Sequence, residues 1–316
     1  MDTFFYCLNG IGPTVLCVVA GYIIKKLKIL SNDSVPIINK LCFKALLPIL
    51  LFNNIRGIDF TINFDHQLIL FAVIGILFLT TLLWIIVPRI CHDNSKTSAL
   101  IHCLFRSNFL QLGYILGMRL FGDEGTMYTS MLIAFVIPLM NVLGVVVLTH
   151  FAPENEDRKL NYKNLMLDVL KNPLIIASVL GFIVSITGLH IPIIFSDTLK
   201  NLGGIASTLC LLALGMQFDL SDIHYNLRTT ATAIFVKLIL IPAVFMALAI
   251  NMGFAGARLG SLFVLFASPS AVTAYMMSHS MHSDENLAGQ IVLLSTAFSA
   301  ISVFIGTFIL KSLGYF

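Results

Sequence analysis

Apolar residues along this chain gather into runs of roughly 20, the length that crosses the hydrocarbon core of a bilayer as a helix. The runs lie near 4–27, 35–55, 67–88, 97–121, 126–151, 168–189, 193–218, 228–251, 257–281 and 286–314. Turn residues and charge separate them: Lys25-Lys26, Arg56-Gly57, Pro88-Arg89, Gly122-Asp123, Pro153-Glu154, Asp219 with Asp222, Gly256 and Asp284-Glu285. The pattern predicts an all-α integral membrane protein with about ten transmembrane helices. The first run lacks a basic leader and a small-residue cleavage site, so it reads as a retained helix rather than a signal peptide.

Composition removes the soluble alternatives. Hydrophobic residues make up 58% of the 316 and charged residues 11%, with a mean hydropathy of +0.93. A soluble domain carries about 25% charged residues, so lipid is the expected solvent. The longest polar stretch, from Ala152 to Lys159, is too short to bury a core of its own. Six scattered cysteines form no C-x-x-C pair and read as small apolar packers. No metal or cofactor is expected, and a net charge of +3 gives no sign of a nucleic-acid partner.

Charge also sets sidedness. With ten spans, alternate loops lie on opposite sides. Lys25, Lys26, Lys28, Arg89, Lys96, Arg158, Lys159, Lys163, Lys171 and Arg228 share one side; Arg56, Arg119, Lys200, Arg258 and Lys311 share the other. The richer side is assigned to the cytoplasm. Both termini are then expected outside it, in a multi-pass protein of the cell membrane, with a bacterial inner membrane the natural setting. The sequence leaves a homodimer open.

The halves resemble each other. Gly21 and Gly181 stand 160 residues apart, late in spans one and six; Ile58-Asp59-Phe60-Thr61 and Phe218-Asp219-Leu220-Ser221 also stand 160 apart; Asp123-Glu124 and Asp284-Glu285 stand 161 apart. Five spans is an odd number, so the second half would sit upside down relative to the first. The expected organisation is a five-helix repeat over 1–151, a cytoplasmic linker over 152–167 and an inverted repeat over 168–316. Such repeats recur in secondary transporters, with the substrate near the midplane between them.

Two stretches near the middle of their spans come into register at this offset. Span four holds Arg106-Ser107-Asn108-Phe109-Leu110-Gln111-Leu112-Gly113, and span nine holds Ala267-Ser268-Pro269-Ser270-Ala271-Val272-Thr273. Pro269 removes a backbone donor and crowds the preceding turn; Asn108 and Gln111 are costly in lipid without partners. A plain proline kink with an interhelical amide bond would look similar. Ser107, Asn108, Gln111, Gly113, Ser268, Pro269, Ser270 and Thr273 are the candidate substrate contacts. Deep charge in the spans is positive: Lys44, Arg106 and Lys237 are cations there, with no Asp or Glu near a span centre. Lys44 and Arg106 have scope to snorkel or pack on carbonyls. Lys237, roughly two turns or more from either end of its span, has less. An anionic substrate is the natural partner, which adds Lys237 to the candidates.

Taken in order, Gly21-Tyr22-Ile23-Ile24, Leu47-Pro48-Ile49-Leu50-Leu51-Phe52, the Asn108 stretch, Lys171-Asn172-Pro173-Leu174, Leu214-Gly215-Met216 and Ser268-Pro269-Ser270 resemble the auxin efflux carrier family over the whole chain. That family includes plant PIN carriers and bacterial and fungal permeases for organic acids. The resemblance implies a scaffold domain and a transport domain that moves like an elevator. It also implies spans four and nine crossing in an X, with Asn108 and the backbone at Ser268-Pro269 on a substrate carboxylate. Two departures stand out. Phe109 occupies the place where plant members tend to have the first crossover proline. The central loop is short, so control by phosphorylation of a long loop does not carry over. A sodium-coupled bile-acid-type organic-anion symporter shares this architecture and is the nearer alternative. An intramembrane enzyme is the more distant one: Asp219 with Asp222 is a lone acidic pair, no G-x-S-x-G elbow occurs, and His102, His150, His279 and His282 have no zinc spacing.

Overall fold

A computed structural model describes residues 13, 16–30, 34–57, 65–110, 114–152, 171–217 and 222–316. Gln111, Gly113, both acidic tetrapeptides at 58–61 and 218–221, Asp219 and nearly all of the 152–167 linker lie outside the described residues.

Helices account for almost all of the described chain. They are α1 (16–26), α2 (Ser34–Arg56), α3 (His66–Ile90) and α4 (Asn94–Phe105). The run Tyr114–His150 bends at Gly122, whose φ of 60° suits glycine, and divides into α5 (114–121) and α6 (123–150). Then come α7 (Pro173–Thr187), α8 (Ile193–Gln217), α9 (222–251), α10 (Gly256–Ala267), α11 (Val272–Ser280) and α12 (Glu285–Ser312). Two of them carry one π-helical turn, Cys42–Leu46 in α2 and Val236–Leu240 in α9. Polar side chains start four of the helices. Asp65, Asp93, Asn172 and Asp284 each accept a backbone N–H of the first turn of α3, α4, α7 and α12.

Among the described residues, six helices are long and apolar enough to cross a membrane unaided: Ser34–Arg56, His66–Ile90, Leu120–His150, Ile193–Met216, Leu227–Asn251 and Glu285–Ser312. Spans four and nine are broken, as their interrupted pattern predicts, into α4 with α5 and α10 with α11. Their outer faces suit lipid. Leu70, Ile74 and Phe78 on α3, Val179, Phe182 and Ile186 on α7, and Phe298, Ile305 and Phe308 on α12 are all exposed. Water would penalise such stripes; acyl chains do not.

One body is built from α1, α2, α7 and α8, and glycine sets its closeness. A Cβ on Gly21 would lie 2.2 Å from the carbonyl oxygen of Leu212, and one on Gly181 would lie 3.0 Å from that of Phe52. The glycines are 160 residues apart, and so are Leu212 and Phe52. Thus α1 meets α8 as α7 meets α2, the exchange of partners that the inverted pattern predicts.

The second body gathers α3 to α6 and α9 to α12. Gly75 of α3 admits the Phe245 and Phe266 rings, which stack at 3.9 Å between centroids. Its two ends are tied separately. Arg258 pairs with Asp65 at 2.6 Å and Gly256 N–H donates to Tyr315, which groups the loops before α3 and α10 with the C-terminus. Asp284 N–H donates to Ser95, and the Ser98 and Ser283 hydroxyls meet at 2.7 Å, which groups the loops before α4 and α12 at the other end. This alternation is the one expected from the spans.

Candidate functional site: the crossing of the broken helices

Pro269 sets the first break. It has no N–H for Leu265, and it holds Ser268 extended (ψ 145°), so α10 stops at Ala267. No proline stands in the other broken stretch, yet α4 stops at Phe105 and Arg106 is extended (ψ 100°). Pairing between the two breaks supplies what proline does not. Asn108 N–H donates to Pro269 at 2.7 Å, Ala271 N–H donates to Arg106 at 3.2 Å, and Ser107 and Ser270 face each other as an antiparallel bridge. The freed carbonyls at the end of α4 find further donors. Ser270 Oγ donates to Cys103 at 2.7 Å and Lys237 Nζ to Leu104 at 2.9 Å. Buried backbone acceptors demand this accounting.

Beside the crossing lies a small pocket of about 50 Å³, room for a few waters or a compact ligand. Leu47, Leu50 and Leu51 of α2 and Cys210 of α8 form one wall; Arg106, Ser107, Asn108 and Thr273 line the other. It therefore sits between the two bodies. The guanidinium of Arg106 is buried, and among the described residues each hydrogen bond it makes reaches a neutral acceptor. Nε donates to Thr273 Oγ1 at 2.9 Å, one terminal nitrogen to the Met140 carbonyl at 3.1 Å and the other to Asn141 Oδ1 at 2.5 Å. These use three of its five N–H groups. Asn108 Nδ2 and Ser107 Oγ are buried with no partner among the described residues. Donors outnumber acceptors at the polar end of an otherwise apolar pocket.

The family model described as membrane transport protein, which covers the auxin efflux carriers, matches residues 8–306. The chain belongs to this family. The transporter is also 24% identical over 293 residues to a protein of Methanothermobacter thermautotrophicus described as an uncharacterized transporter, covering 92% of this chain and 93% of that one.

Of the candidate contacts, the transporter's fold brings Ser107, Asn108 and Thr273 to the pocket wall. Ser268 and Ser270 are buried at the crossing, but their hydroxyls bond the Val264 and Cys103 carbonyls and do not line the pocket. Pro269 acts through its backbone. Lys237 is placed away from the pocket, against the end of α4. Arg106 is the pocket residue the candidate set left out. Its signal was its place two residues before Asn108, where snorkelling or packing on carbonyls offered another explanation.

Proposed function

We propose that this membrane transporter moves small organic anions, carboxylates in particular, by alternating access of the elevator type. The body of α1, α2, α7 and α8 would serve as scaffold, and the body of α3 to α6 with α9 to α12 would carry the crossing. Arg106 carries the reading. A buried cation costs at least about 2.5 kcal/mol inside a membrane, and its observed partners are neutral. A carboxylate at the pocket supplies the missing charge and accepts from Arg106, Asn108 Nδ2 and Ser107 Oγ together. The leucine wall covers the carbon end of the anion, and the pocket volume favours short chains.

The test is a binding screen on purified protein with acetate, L-lactate, succinate and L-malate. Arg106→Gln should lower affinity about tenfold or more, the worth of a charge-assisted hydrogen bond. Equal affinity in the variant would remove Arg106 from the site. Running uptake into liposomes in sodium and in choline medium separates this reading from a sodium-coupled symporter.

A further inference from the structure

His102 is fully buried on α4, and neither ring nitrogen has a hydrogen-bond partner among the described residues. A neutral imidazole carries one donor and one acceptor, and an imidazolium two donors. Leaving both nitrogens unmatched in the interior is costly. The position of His102 relative to Arg106 gives it a use.

Three helices hold the pair at successive levels. On α4, Arg106 follows His102 by one turn, and Arg106 N–H donates to the His102 carbonyl at 3.0 Å. On α6, the guanidinium bonds Met140 and Asn141, while a Cβ on Gly144 would lie 2.7 Å from His102 Nε2. On α11, Thr273 accepts from Arg106, while the Met277 methyl lies 3.2 Å from the same Gly144 position. Residues 140 and 144, like 273 and 277, are one turn apart. The ring therefore lies about one helical turn, roughly 5 Å, from the guanidinium, behind it as seen from the pocket. Gly144 is the residue that gives the ring its room.

We propose that His102 takes up a proton when a carboxylate occupies Arg106, so that the anion and one proton travel together. This rests on the anion reading of the pocket. The proton comes from the aqueous phase and ends on a ring nitrogen, turning imidazole into imidazolium; no other bond changes. Anion and proton bring opposite charges into one low-dielectric compartment, so each favours the other's binding by the same factor. A hydroxyl pair, Ser98 with Ser283, lies one turn beyond the ring toward the 95/283 end, where His282 beside Ser283 is exposed.

Other ionisable groups on the packed elements are placed for other tasks. Cys103 and Lys96 are on α4 itself, Arg89 on α3 and His150 on α6 beside Trp84. Lys237 of α9 holds the Leu104 carbonyl, Tyr275 of α11 accepts from Asn39, and His279 of α11 pairs with Glu285 of α12. Asp284 caps α12. Arg106 is the one that shares the α6 and α11 neighbours of the ring at one turn's distance.

Isothermal titration of purified full-length protein with the same four carboxylates, in buffers of different ionisation enthalpy, counts the protons taken up per anion. Between about pH 7 and 8 all four probes are ionised in solution, so uptake belongs to the complex and the His102 variants assign it. Wild type should take up as much as about one proton, with affinity rising by up to about tenfold per pH unit as pH falls. His102→Gln, or His102→Asn where the first is not monodisperse, should still bind, with no uptake and a flat pH profile. His279→Gln should keep the uptake. Binding by wild type without uptake overturns proton coupling, and uptake retained in the His102 variants overturns the role of His102; either leaves the anion site intact. Failure of all four probes to bind wild type overturns the anion reading and the coupling with it.

Discussion

The backbone N–H of Asn108 donates to the carbonyl of Pro269 at 2.7 Å, joining two breaks that lie 161 residues apart in the chain. One proline thereby organises two interrupted helices. It breaks α10 directly, and the extended segment it creates offers α4 the partners that let α4 end as well. The side chain of Asn108 is left free for the pocket because its backbone does the joining.

Asn108→Ala and Pro269→Ala should therefore fail differently. The first keeps the backbone bond and loses one amide donor, so carboxylate affinity should fall about tenfold, as for a hydrogen bond to a charged group, with turnover at saturation near wild type. The second restores an N–H within reach of Leu265 and lets α10 and α11 close into one helix, so affinity and turnover should fall together. Binding and liposome transport of a carboxylate identified in the screen check both; matching wild-type values in both variants would place the site elsewhere.

Lys237→Met should act on stability more than on binding. It keeps the side-chain volume and leaves the buried Leu104 carbonyl without its donor, a cost of about 1–3 kcal/mol. A melting temperature lowered by several degrees in detergent, with carboxylate affinity retained, is the expected result. Lost binding at unchanged melting temperature would return this lysine to the substrate.

Gly21→Ala and Gly215→Ala should lower the yield of monodisperse protein. Their new Cβ atoms would lie 2.2 Å from the Leu212 carbonyl oxygen and 2.0 Å from that of Val18, so α1 and α8 must part. Overpacking of this kind costs about 1–3 kcal/mol. Gly204→Ala, on the same α8 with nothing within 4 Å, should be neutral. Size-exclusion profiles of the three variants decide it, and equal profiles would mean the α1–α8 contact is dispensable.

Reporter fusions should divide the loops into the two groups that the tertiary contacts define. Insertions near 252–255 and at Phe316 should report one side, and those near 92–93 and 281–283 the other. The lysine and arginine bias assigns the first group to the outside. A cytoplasmic signal at Phe316 would reverse that assignment.

The chain by itself determined the spans, the end of α10 at Pro269 and the close glycines of α1 and α7. Each of these follows from local chemistry: apolar length, a missing N–H, or the absence of a Cβ. It also carried the exchange of partners between halves, because Gly21 and Gly181 recur at one offset and their contacts do too. Only the tertiary structure decided why α4 ends without a proline, which cation reaches the pocket, and where the serines spend their hydroxyls. Arg106 and Lys237 look alike in sequence, each a cation inside an apolar run. Their difference lies in the helix opposite each: Arg106 faces Met140, Asn141 and Thr273 at the pocket edge, and Lys237 faces the freed carbonyl of Leu104. His102 went unread for the same reason, since its lack of partners is a property of the three helices around it. Periodicity along one helix fixes which face a residue occupies; the identity of the neighbour on that face comes from chain tens to hundreds of residues away.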